Sequence, residues 1–503
     1  MRSNLWQTAV LAVVLNCSFA LAQDVTLTAR DGGITLSGVL QGYDGEFYRV
    51  ETSYGLLTVD GQGVLCDGPG CPDLTSPKAV VRFVGAPDAG LALLPPLLAS
   101  FAHSRGFGYE VVDGLRFVAK ITDPATGSSL AEFSFAANTP QAARDALVAG
   151  RAELVVAAAV EADFGHRALA LDALLPIVAP DNPTPRISTA DLALALTGDV
   201  ANWQDVGGPD MPIVLHALAP DTDLQRALAA RLGRPVAAAV LHPDMATLAA
   251  AVARDPWALA VAGRALQGAA RALSLTDSCG FPLLPTALAV KAEDYPLALP
   301  IFLLTPRRRL PLFAREFLDF LATPAAQATI RRAGFIDRAA ERQPMTADGL
   351  RLINAIQGAG DEVSLPDLKR LVAGMAGADR LSLTFRFEDG SSQLNAHSVE
   401  NLTDLAQLLE TGAFRNETLV FAGFSDGSGA ALANLDLSRA RAQSVAAALR
   451  LAAPDLEEAL IPAVDGYGET MPMACDTTAP GRQLNRRVEV WIKPAVVTDS
   501  PAP

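Results

Sequence analysis

The chain has 503 residues, of which 50% are hydrophobic, and it carries a formal net charge of -15 with a pI near 4.8. This length allows several hydrophobic cores, and the usual domain size predicts about three domains. The acidic balance excludes nucleic acid as a partner, because neutralising phosphates needs a basic surface and no long basic run is present.

The N-terminus has the layout of a cleavable secretory signal. A basic residue precedes an apolar run at residues 9–15, which is followed by Ala20-Leu21-Ala22. Residues 1–22 are therefore predicted to be a signal peptide. A lipoprotein would instead be modified at Cys17, but the preceding Asn16 matches such signals poorly. No later apolar run reaches the roughly 18 to 20 residues that a membrane-spanning helix needs.

Export to an oxidising compartment makes the four cysteines beyond the signal peptide candidates for disulfides. Cys66 and Cys71 are close in sequence and are expected to close a small loop. Cys279 and Cys475 remain. They either join two domains through a second disulfide or are two buried free thiols.

Residues 23–75 are predicted to form a small β module. Apolar and polar residues alternate at residues 25–28 and 47–52, and glycine-rich turns separate these runs. This pattern is typical of short antiparallel strands. A unit of this size is marginally stable alone, and its residues indicate no chemistry.

The next segment, residues 76–343, alternates strands with helices. Residues 79–84 read as a buried strand, and a turn at residues 85–90 leads into a periodic helix at residues 91–103. Further buried strands follow, interleaved with helices. This order predicts an α/β sheet architecture.

Several stretches of this segment carry a family resemblance when they are taken in order. They are Ile177-Val178-Ala179-Pro180-Asp181-Asn182-Pro183, Thr197-Gly198-Asp199-Val200-Ala201-Asn202-Trp203, Asp255-Pro256-Trp257-Ala258, residues 290–297 and residues 317–327. The segment resembles the phosphate-binding receptors of ABC transporters, which are type 2 periplasmic binding proteins. The resemblance implies two lobes joined by crossing strands near residues 171–178 and 284–290, a ligand in the cleft, and a transporter or envelope protein as partner.

The resemblance also indicates candidate cleft residues: Ala86, Asp88, Asp181, Asn182, Asp221 and Thr222. Phosphate receptors of this class bind the ion with hydroxyl groups and backbone N–H groups at helix N-termini. Here the matching turns carry carboxylates, which would repel a small oxyanion such as phosphate. These side chains could equally be ordinary helix caps and turn residues.

Residues 344–379 are predicted to be a partly helical linker that allows relative motion of its neighbours. Residues 380–494 are predicted to form a βαβαβ domain, with elements at residues 381–387, 396–409, 418–421, 435–451 and 487–492. Residues 495–503 are predicted to be a disordered tail. The whole chain is thus expected to combine α/β and α+β domains.

Three motifs stand out in this last domain: the loop at residues 423–429, the helix motif Asn434-x-x-Leu437-Ser438-x-x-Arg441, and Gly481-Arg482-x-x-Asn485-Arg486-Arg487. Together they resemble the peptidoglycan-binding signature of OmpA-like domains. The helix spacing places its four residues on one face. The resemblance implies that Asp426 accepts from the ammonium of diaminopimelate and that Arg441 binds its carboxylate. Asn434, Leu437, Ser438 and Arg487 would complete the site.

The sequence contains no motif for catalysis, a metal or a cofactor, and a non-enzymatic protein is expected. Two hypotheses remain. In one, a periplasmic solute receptor is tethered to the cell wall of a Gram-negative envelope. In the other, the receptor domain has lost its ligand and serves as a structural spacer or protein-docking surface.

Overall fold

A computed structural model describes residues 25–30, 32–43, 46–71, 79–113, 117–347, 349–357, 362–388, 391 and 393–494. The predicted signal peptide and the predicted tail lie outside these ranges. The chain divides into two compact units, residues 1–79 and 80–503, which are described separately. No helix within the described ranges has both the length and the apolar character to cross a bilayer.

The first unit is an antiparallel sheet. Its described strands are β1 (Val25–Ala29), β2 (Thr35–Tyr43), β3 (Phe47–Thr52), β4 (Gly55–Asp60) and β5 (Val64–Asp67). They are ordered β4-β3-β2-β1-β5. Alternate side chains such as Leu27, Tyr48 and Val50 form a small core, and the predicted Cys66–Cys71 disulfide packs against it. The disulfide adds a covalent constraint to a core too small to be very stable alone.

The second unit begins with alternating strands and helices. Its strands are β6 (Ala79–Gly85), β7 (Gly108–Asp113), β8 (Val118–Thr122), β9 (Ser129–Ala137), β10 (Leu154–Ala157), β11 (Gly165–Val178), β12 (Arg186–Ser188), β13 (Val214–Leu218), β14 (Val240–His242), β15 (Ala258–Gly263), β16 (Arg271–Ala272), β17 (Ser274–Thr276), β18 (Pro282–Leu283) and β19 (Ala298–Thr305). Its helices are α1 (Pro87–Ser104), α2 (Pro140–Val148), α3 (Thr189–Leu196), α4 (Asp223–Leu232), α5 (Met245–Val252), α6 (Ala287–Lys291), α7 (Leu312–Phe320) and α8 (Pro324–Arg332).

Strand β11 joins two lobes. Its N-terminal half pairs with β19 in the first lobe, which continues through β10, β6, β9, β8 and β7. Its C-terminal half pairs with β15 in the second lobe, which continues through β13 and β14. The predicted two-lobe α/β fold and the first crossing are therefore confirmed. The second crossing was predicted at residues 284–290, which is wrong: α6 lies there, capped by Thr286, and the chain returns to the first lobe at β19.

The C-terminal part of the second unit is a five-stranded sheet with helices on both faces. Its elements are β20 (Arg342–Pro344), α9 (Gly349–Gln357), α10 (Leu365–Met375), β21 (Asp379–Arg386), α11 (Ala396–Glu410), β22 (Glu417–Phe424), α12 (Ala431–Ala452), β23 (Ala463–Gly466), α13 (Ala479–Asn485) and β24 (Arg487–Pro494). The strand order is β20-β21-β24-β22-β23. Apolar residues of α11 and α12 cover one face, where Phe385, Phe421 and Val490 are fully buried.

Helix α10 and the buried face of α9 cover the opposite face of the sheet. Leu371 and Met375 of α10 pack with Phe424, Tyr467 and Trp491 of the sheet domain. The segment at residues 344–379 was predicted to be a linker that permits motion. Part of it instead belongs to the core of the C-terminal sheet, where Met345, Ala355, Leu371, Met375 and Ala378 are buried.

This C-terminal part is fastened to both lobes. Arg380 Nη1 donates to Asp294 Oδ2 of the second lobe at 2.6 Å, and both side chains are buried. Arg338 Nη1, at the end of the first lobe, lies 3.2 Å from Glu400 Oε2 of α11. Buried charges that lose their partner are strongly destabilising, so these contacts resist separation of the domains.

A disulfide adds a covalent connection at the second lobe. Cys279 and Cys475 are joined, with their Cα atoms 5.7 Å apart and 196 positions separating them in sequence. The backbone N–H of Cys475 also donates to Asp277 Oδ2 at 2.9 Å. Of the two alternatives left open by the sequence, the structure has the interdomain disulfide.

Candidate functional site

The candidate site is built around the loop that follows the C-terminal end of β22 and leads into α12. Gly423 allows β22 to approach α12 closely, since a Cβ there would overlap the backbone oxygen of Ser438. The Ser438 hydroxyl accepts from the N–H of Gly468 at 2.9 Å. These contacts hold the loop that carries Asp426 against the first turns of α12.

The loop carries one carboxylate, that of Asp426. Its Oδ2 accepts from Arg486 Nη1 at 3.0 Å, and its Oδ1 accepts from the N–H of Ser428 at 3.0 Å. Burial by itself would raise the pKa of Asp426, but the bonds from Arg486 and Ser428 hold it below its usual range. Asp426 is therefore ionised at neutral pH.

Arg441 lies beside this pair, nearly three turns into α12. Its Nη1 atom is buried and has no hydrogen-bond partner within the described part of the chain. Burial lowers the pKa of Arg441, repulsion from Arg486 lowers it further, and attraction to Asp426 opposes both. A buried guanidinium nitrogen without an acceptor is unfavourable, and a ligand carboxylate would supply that acceptor.

Acidic groups lie on the other side of the loop. Glu469 Oε2 accepts from Asn434 Nδ2 at 2.6 Å, and Asp476 Oδ2 accepts from the N–H of Gly427 at 2.7 Å. Burial raises the pKa of Glu469, and repulsion from neighbouring carboxylates adds to the rise. Guanidinium and carboxylate groups therefore lie side by side around the loop, which suits a ligand that carries both charges.

Two residues predicted to line this site have fully buried side chains. Ser438 is fully buried, where it supports the backbone of Gly468. Arg487 is also fully buried; its guanidinium lies over the ring of Phe424 and donates to Glu489 Oε1 at 2.6 Å. Arg486, one position earlier, instead contacts Asp426.

The remaining predicted residues of this motif differ in exposure. Asn434 is buried and bonded to Glu469, whereas 45% of Leu437 is exposed on α12 beside the loop. Glu469 and Asp476 were not predicted. They follow β23 in a stretch without regular secondary structure, and only the fold brings them to the loop.

A second candidate site is the cavity between the two lobes, with a volume of about 80 Å³. Ala86, Asp88 and Thr222 line it, as predicted from the sequence. The predicted Asp181 and Asp221 are exposed and lie outside its lining. Asn182 is also absent from the lining; it is buried, and its side chain bonds to the Pro256 carbonyl at 2.7 Å and to the Thr184 N–H at 2.9 Å.

The lining also includes Asp223, from the turn in which the sequence predicted carboxylates, and two carboxylates that the sequence did not indicate, Asp172 and Asp244. Burial raises the pKa of Asp172 to about 7, although the backbone N–H groups of Ala173, Arg264 and Ala265 oppose the shift. Asp172 belongs to β11, where it reads as one polar residue in an apolar run. Only the packing of the lobes reveals that it faces the cavity.

Two of the carboxylates form contacts between the lobes. Asp223 Oδ1, at the start of α4 in the second lobe, accepts from the N–H of Ala158 in the first lobe at 3.2 Å. Asp88, in the first turn of α1, accepts from the N–H of Met245 at the start of α5. Burial raises the pKa of both aspartates, and repulsion from Asp244 adds to the rise for Asp88. Backbone donors that could hold an anion are thus occupied by the protein itself.

Comparison with known families matches two parts of the chain. Residues 386–486 match the OmpA family, and residues 126–325 match a PBP superfamily domain. The chain combines a PBP-superfamily domain with an OmpA-family domain. Both resemblances seen in the sequence are confirmed at this level.

Relatives of the OmpA-family domain include two curated proteins. The probable lipoprotein YiaD of Escherichia coli is 32% identical over 108 residues, which are 22% of this chain and 47% of that protein. Outer membrane porin F of Pseudomonas aeruginosa is 31% identical over 114 residues, which are 23% of this chain and 31% of that protein. The chain therefore spans less than half the length of these relatives.

Solved structures similar to the PBP-superfamily domain include two described as phosphate proteins. An ABC-type phosphate transport receptor from Vibrio cholerae has a TM-score of 0.40 and 16% identity, covering 51% of this chain and 99% of that one. A putative phosphate ABC transporter substrate-binding protein from Clostridium perfringens, solved with bound phosphate, has a TM-score of 0.41 and 15% identity, with 51% and 99% coverage.

Proposed function

We propose that the OmpA-family domain binds the diaminopimelate-containing stem peptide of peptidoglycan and holds the chain non-covalently at the cell wall of a Gram-negative envelope. The observation that carries this proposal is the buried Nη1 of Arg441, which has no hydrogen-bond partner in the described structure, next to the ionised Asp426. The family match of this domain and its envelope relatives agree with the proposal.

The ligand's two charges have matching partners in this arrangement. Its carboxylate accepts from Arg441, whose planar guanidinium can donate two parallel hydrogen bonds where a lysine cannot. Its ammonium lies toward Asp426 and the carboxylates of Glu469 and Asp476. Arg486 keeps Asp426 ionised and in place.

Co-sedimentation with purified diaminopimelate-type sacculi tests the proposal. Arg441→Ala removes a charge-assisted hydrogen bond worth about 1.5–3 kcal/mol, so affinity should fall about 10- to 150-fold, and Asp426→Ala should fall comparably. Arg441→Lys should recover only part of the loss. Arg439→Ala is the matched control, because Arg439 lies on the same helix with 47% of its side chain exposed. Unchanged retention of Arg441→Ala would refute the site.

For the PBP-superfamily domain, we propose a solute-binding role with the inter-lobe cavity as the ligand site. Four carboxylates line the cavity: Asp88, Asp172, Asp223 and Asp244. They favour a neutral or cationic ligand over phosphate, because an oxyanion would meet unfavourable charge in a partly dry cavity. An ABC transporter is the expected partner of such a receptor.

The second candidate is a structural spacer or docking surface whose receptor domain no longer takes a ligand. The contacts of Asp88 and Asp223 across the cleft favour it, because they hold the lobes together without a ligand. Native mass spectrometry of the protein as isolated, followed by a thermal-shift panel of amines, neutral metabolites and oxyanions, separates the two. A retained or stabilising compound supports the receptor, since a ligand at a hundred times its dissociation constant stabilises by about 2.7 kcal/mol. No response across the panel supports the spacer.

A further inference from the structure

One short turn of the second lobe lies close to the candidate wall-binding site. This turn, at residues 277–281, connects β17 to β18. Asp277 closes it, because its Oδ1 accepts from the N–H of Cys279 at 2.9 Å and from the N–H of Phe281 at 2.8 Å. Only 4% of Asp277 is exposed. Its other carboxylate oxygen is therefore fixed in direction and can accept from a group outside the turn.

That oxygen and its neighbours hold a segment of the OmpA-family domain that has no regular secondary structure. Asp277 Oδ2 accepts from the N–H of Cys475 at 2.9 Å. The disulfide joins Cys475 to Cys279 as well. Two residues further along, Thr477 Oγ1 lies 2.8 Å from Ser278 Oγ, within hydrogen-bond distance. Three successive residues of the turn thus fasten this segment at two points.

Asp476 lies between these two points and contacts the loop between β22 and α12. Its Oδ2 accepts from the N–H of Gly427 at 2.7 Å. Its Oδ1 accepts from Asn485 Nδ2 at 2.5 Å, so both carboxylate oxygens are held. Gly427 directly follows Asp426, which is proposed to receive the ammonium of the ligand. A shift of Asp476 would therefore move the backbone that carries Asp426.

We propose that Asp277 is a positioning residue for the wall-binding site, so that the PBP-superfamily domain supports a site on the OmpA-family domain. This inference rests on the proposed binding of the diaminopimelate-containing stem peptide. Asp277 touches no ligand in this role. It holds Cys475, and the segment that follows places Asp476 against Gly427. The loop that presents Asp426 is thereby fixed before the ligand arrives, which lowers the entropic cost of binding.

The OmpA-family domain also holds this segment by itself. Asn485 Oδ1 accepts from the N–H groups of Met473 and Ala474 at 2.6 and 3.0 Å. Arg482 Nη1 donates to the backbone oxygen of Asp476 at 2.8 Å. The second lobe therefore adds to an existing support, and we expect its loss to weaken binding without abolishing it.

Asp277→Asn removes one contact between the domains and preserves the turn. Asparagine has a single side-chain oxygen, which the two N–H groups of the turn occupy, and its NH₂ group cannot accept from the N–H of Cys475. Cys279→Ser with Cys475→Ser removes the covalent connection, so that Asp277 becomes the remaining link to position 475. Asp404→Asn is the matched control, because it makes the same chemical change at the interdomain contact with Arg338, where the two side chains are 2.6 Å apart.

The experiment is co-sedimentation of the full chain with diaminopimelate-type sacculi. In the background with both cysteines replaced by serine, Asp277→Asn should weaken binding about 2- to 30-fold, the range expected for a residue that acts through others. Asp404→Asn in the same background should leave the affinity unchanged. Equal affinity with and without Asp277→Asn overturns the inference. An equal loss in Asp404→Asn also overturns it, because loosening of the domains would then be the cause.

Hydrogen exchange of Asp277→Asn with the disulfide intact gives a readout that general destabilisation would not produce. Residues 425–429 should exchange faster than in the wild type, while β21 and β24 exchange at the wild-type rate. Unchanged exchange in the loop overturns the inference, and so does faster exchange throughout the C-terminal sheet.

Arg441→Ala distinguishes this inference from the function on which it rests. If sacculi retain Arg441→Ala as well as the wild type, the wall-binding proposal fails and the positioning role fails with it. If Arg441→Ala loses binding and Asp277→Asn has no effect in the serine background, only the positioning role of the second lobe is overturned.

Discussion

Replacement of Glu489 by glutamine tests how strongly buried ion pairs stabilise the C-terminal sheet, because Arg351, Arg380 and Arg487 all lie close to this carboxylate. Glu489 is fully buried, and the substitution keeps its shape while removing its charge. Arg351, Arg380 and Arg487 would then lose the negative charge of the carboxylate that they surround. Breaking a buried pair by removing one partner costs about 3–5 kcal/mol, so the C-terminal sheet should lose about that much stability at pH 7.

The effect should also depend on pH. Burial alone would raise the pKa of Glu489, but Arg351, Arg380 and Arg487 hold it far below its usual range. A depressed carboxyl pKa contributes stability above the pKa of the unfolded state, about 4.3, and this contribution falls by about 1.4 kcal/mol per unit as the pH drops below that value. The difference between wild type and Glu489→Gln should therefore shrink at acid pH.

Hydrogen exchange of the amides in β21 and β24, measured at pH 7 and again at acid pH, reports this difference. Glu417→Gln is the control, because Glu417 pairs with Arg342, whose side chain is 40% exposed, and such pairs contribute about 0–1 kcal/mol. A loss in Glu489→Gln no larger than in this control would refute the reasoning.

Three further outcomes are expected. Replacing Cys279 and Cys475 together by serine frees a 196-residue loop and should reduce stability by up to about 5 kcal/mol, seen as a lower denaturation midpoint. Asp172→Asn should become more stable relative to the wild type as the pH rises from about 4 to about 7, by up to about 4 kcal/mol, because over this range the unfolded state ionises the carboxyl whereas the folded state, with the pKa raised to about 7, keeps it protonated; calorimetry at several pH values checks this. Gly423→Ala should destabilise by about 3 kcal/mol through overlap with α12, whereas Gly349→Ala, with open space at its Cβ, should change stability by less than about 1 kcal/mol in the same melting assay.

The fold was largely predictable because its signals are local. Apolar periodicity indicated the helices α1, α11 and α12 and the strands around them, and the structure places them within a few residues of the predicted bounds. The packing of α10 on the C-terminal sheet was missed, because its polar flanks resemble those of a linker. Its buried Leu371 and Met375 have partners that come from distant strands.

The candidate sites were predictable only in part. Asp426 and Arg441 stand in a recognisable motif, but the choice between Arg486 and Arg487 depends on where β24 begins. Arg487 pairs with Phe424 in the sheet, so its side chain faces the interior, while Arg486 remains at the loop. A one-residue difference in register reverses the direction of a side chain, and sequence spacing does not determine it.

The attachment of the OmpA-family domain to both lobes has a geometric consequence. Arg380 and Arg338 contact different lobes, and the Cys279–Cys475 disulfide adds a covalent connection to the second one. A stem peptide bound at Asp426 would therefore fix the orientation of the cleft opening relative to the sacculus as well as its distance from it. In neighbouring copies bound along one glycan strand, the orientation of each cleft would then be set by the arrangement of the stem peptides.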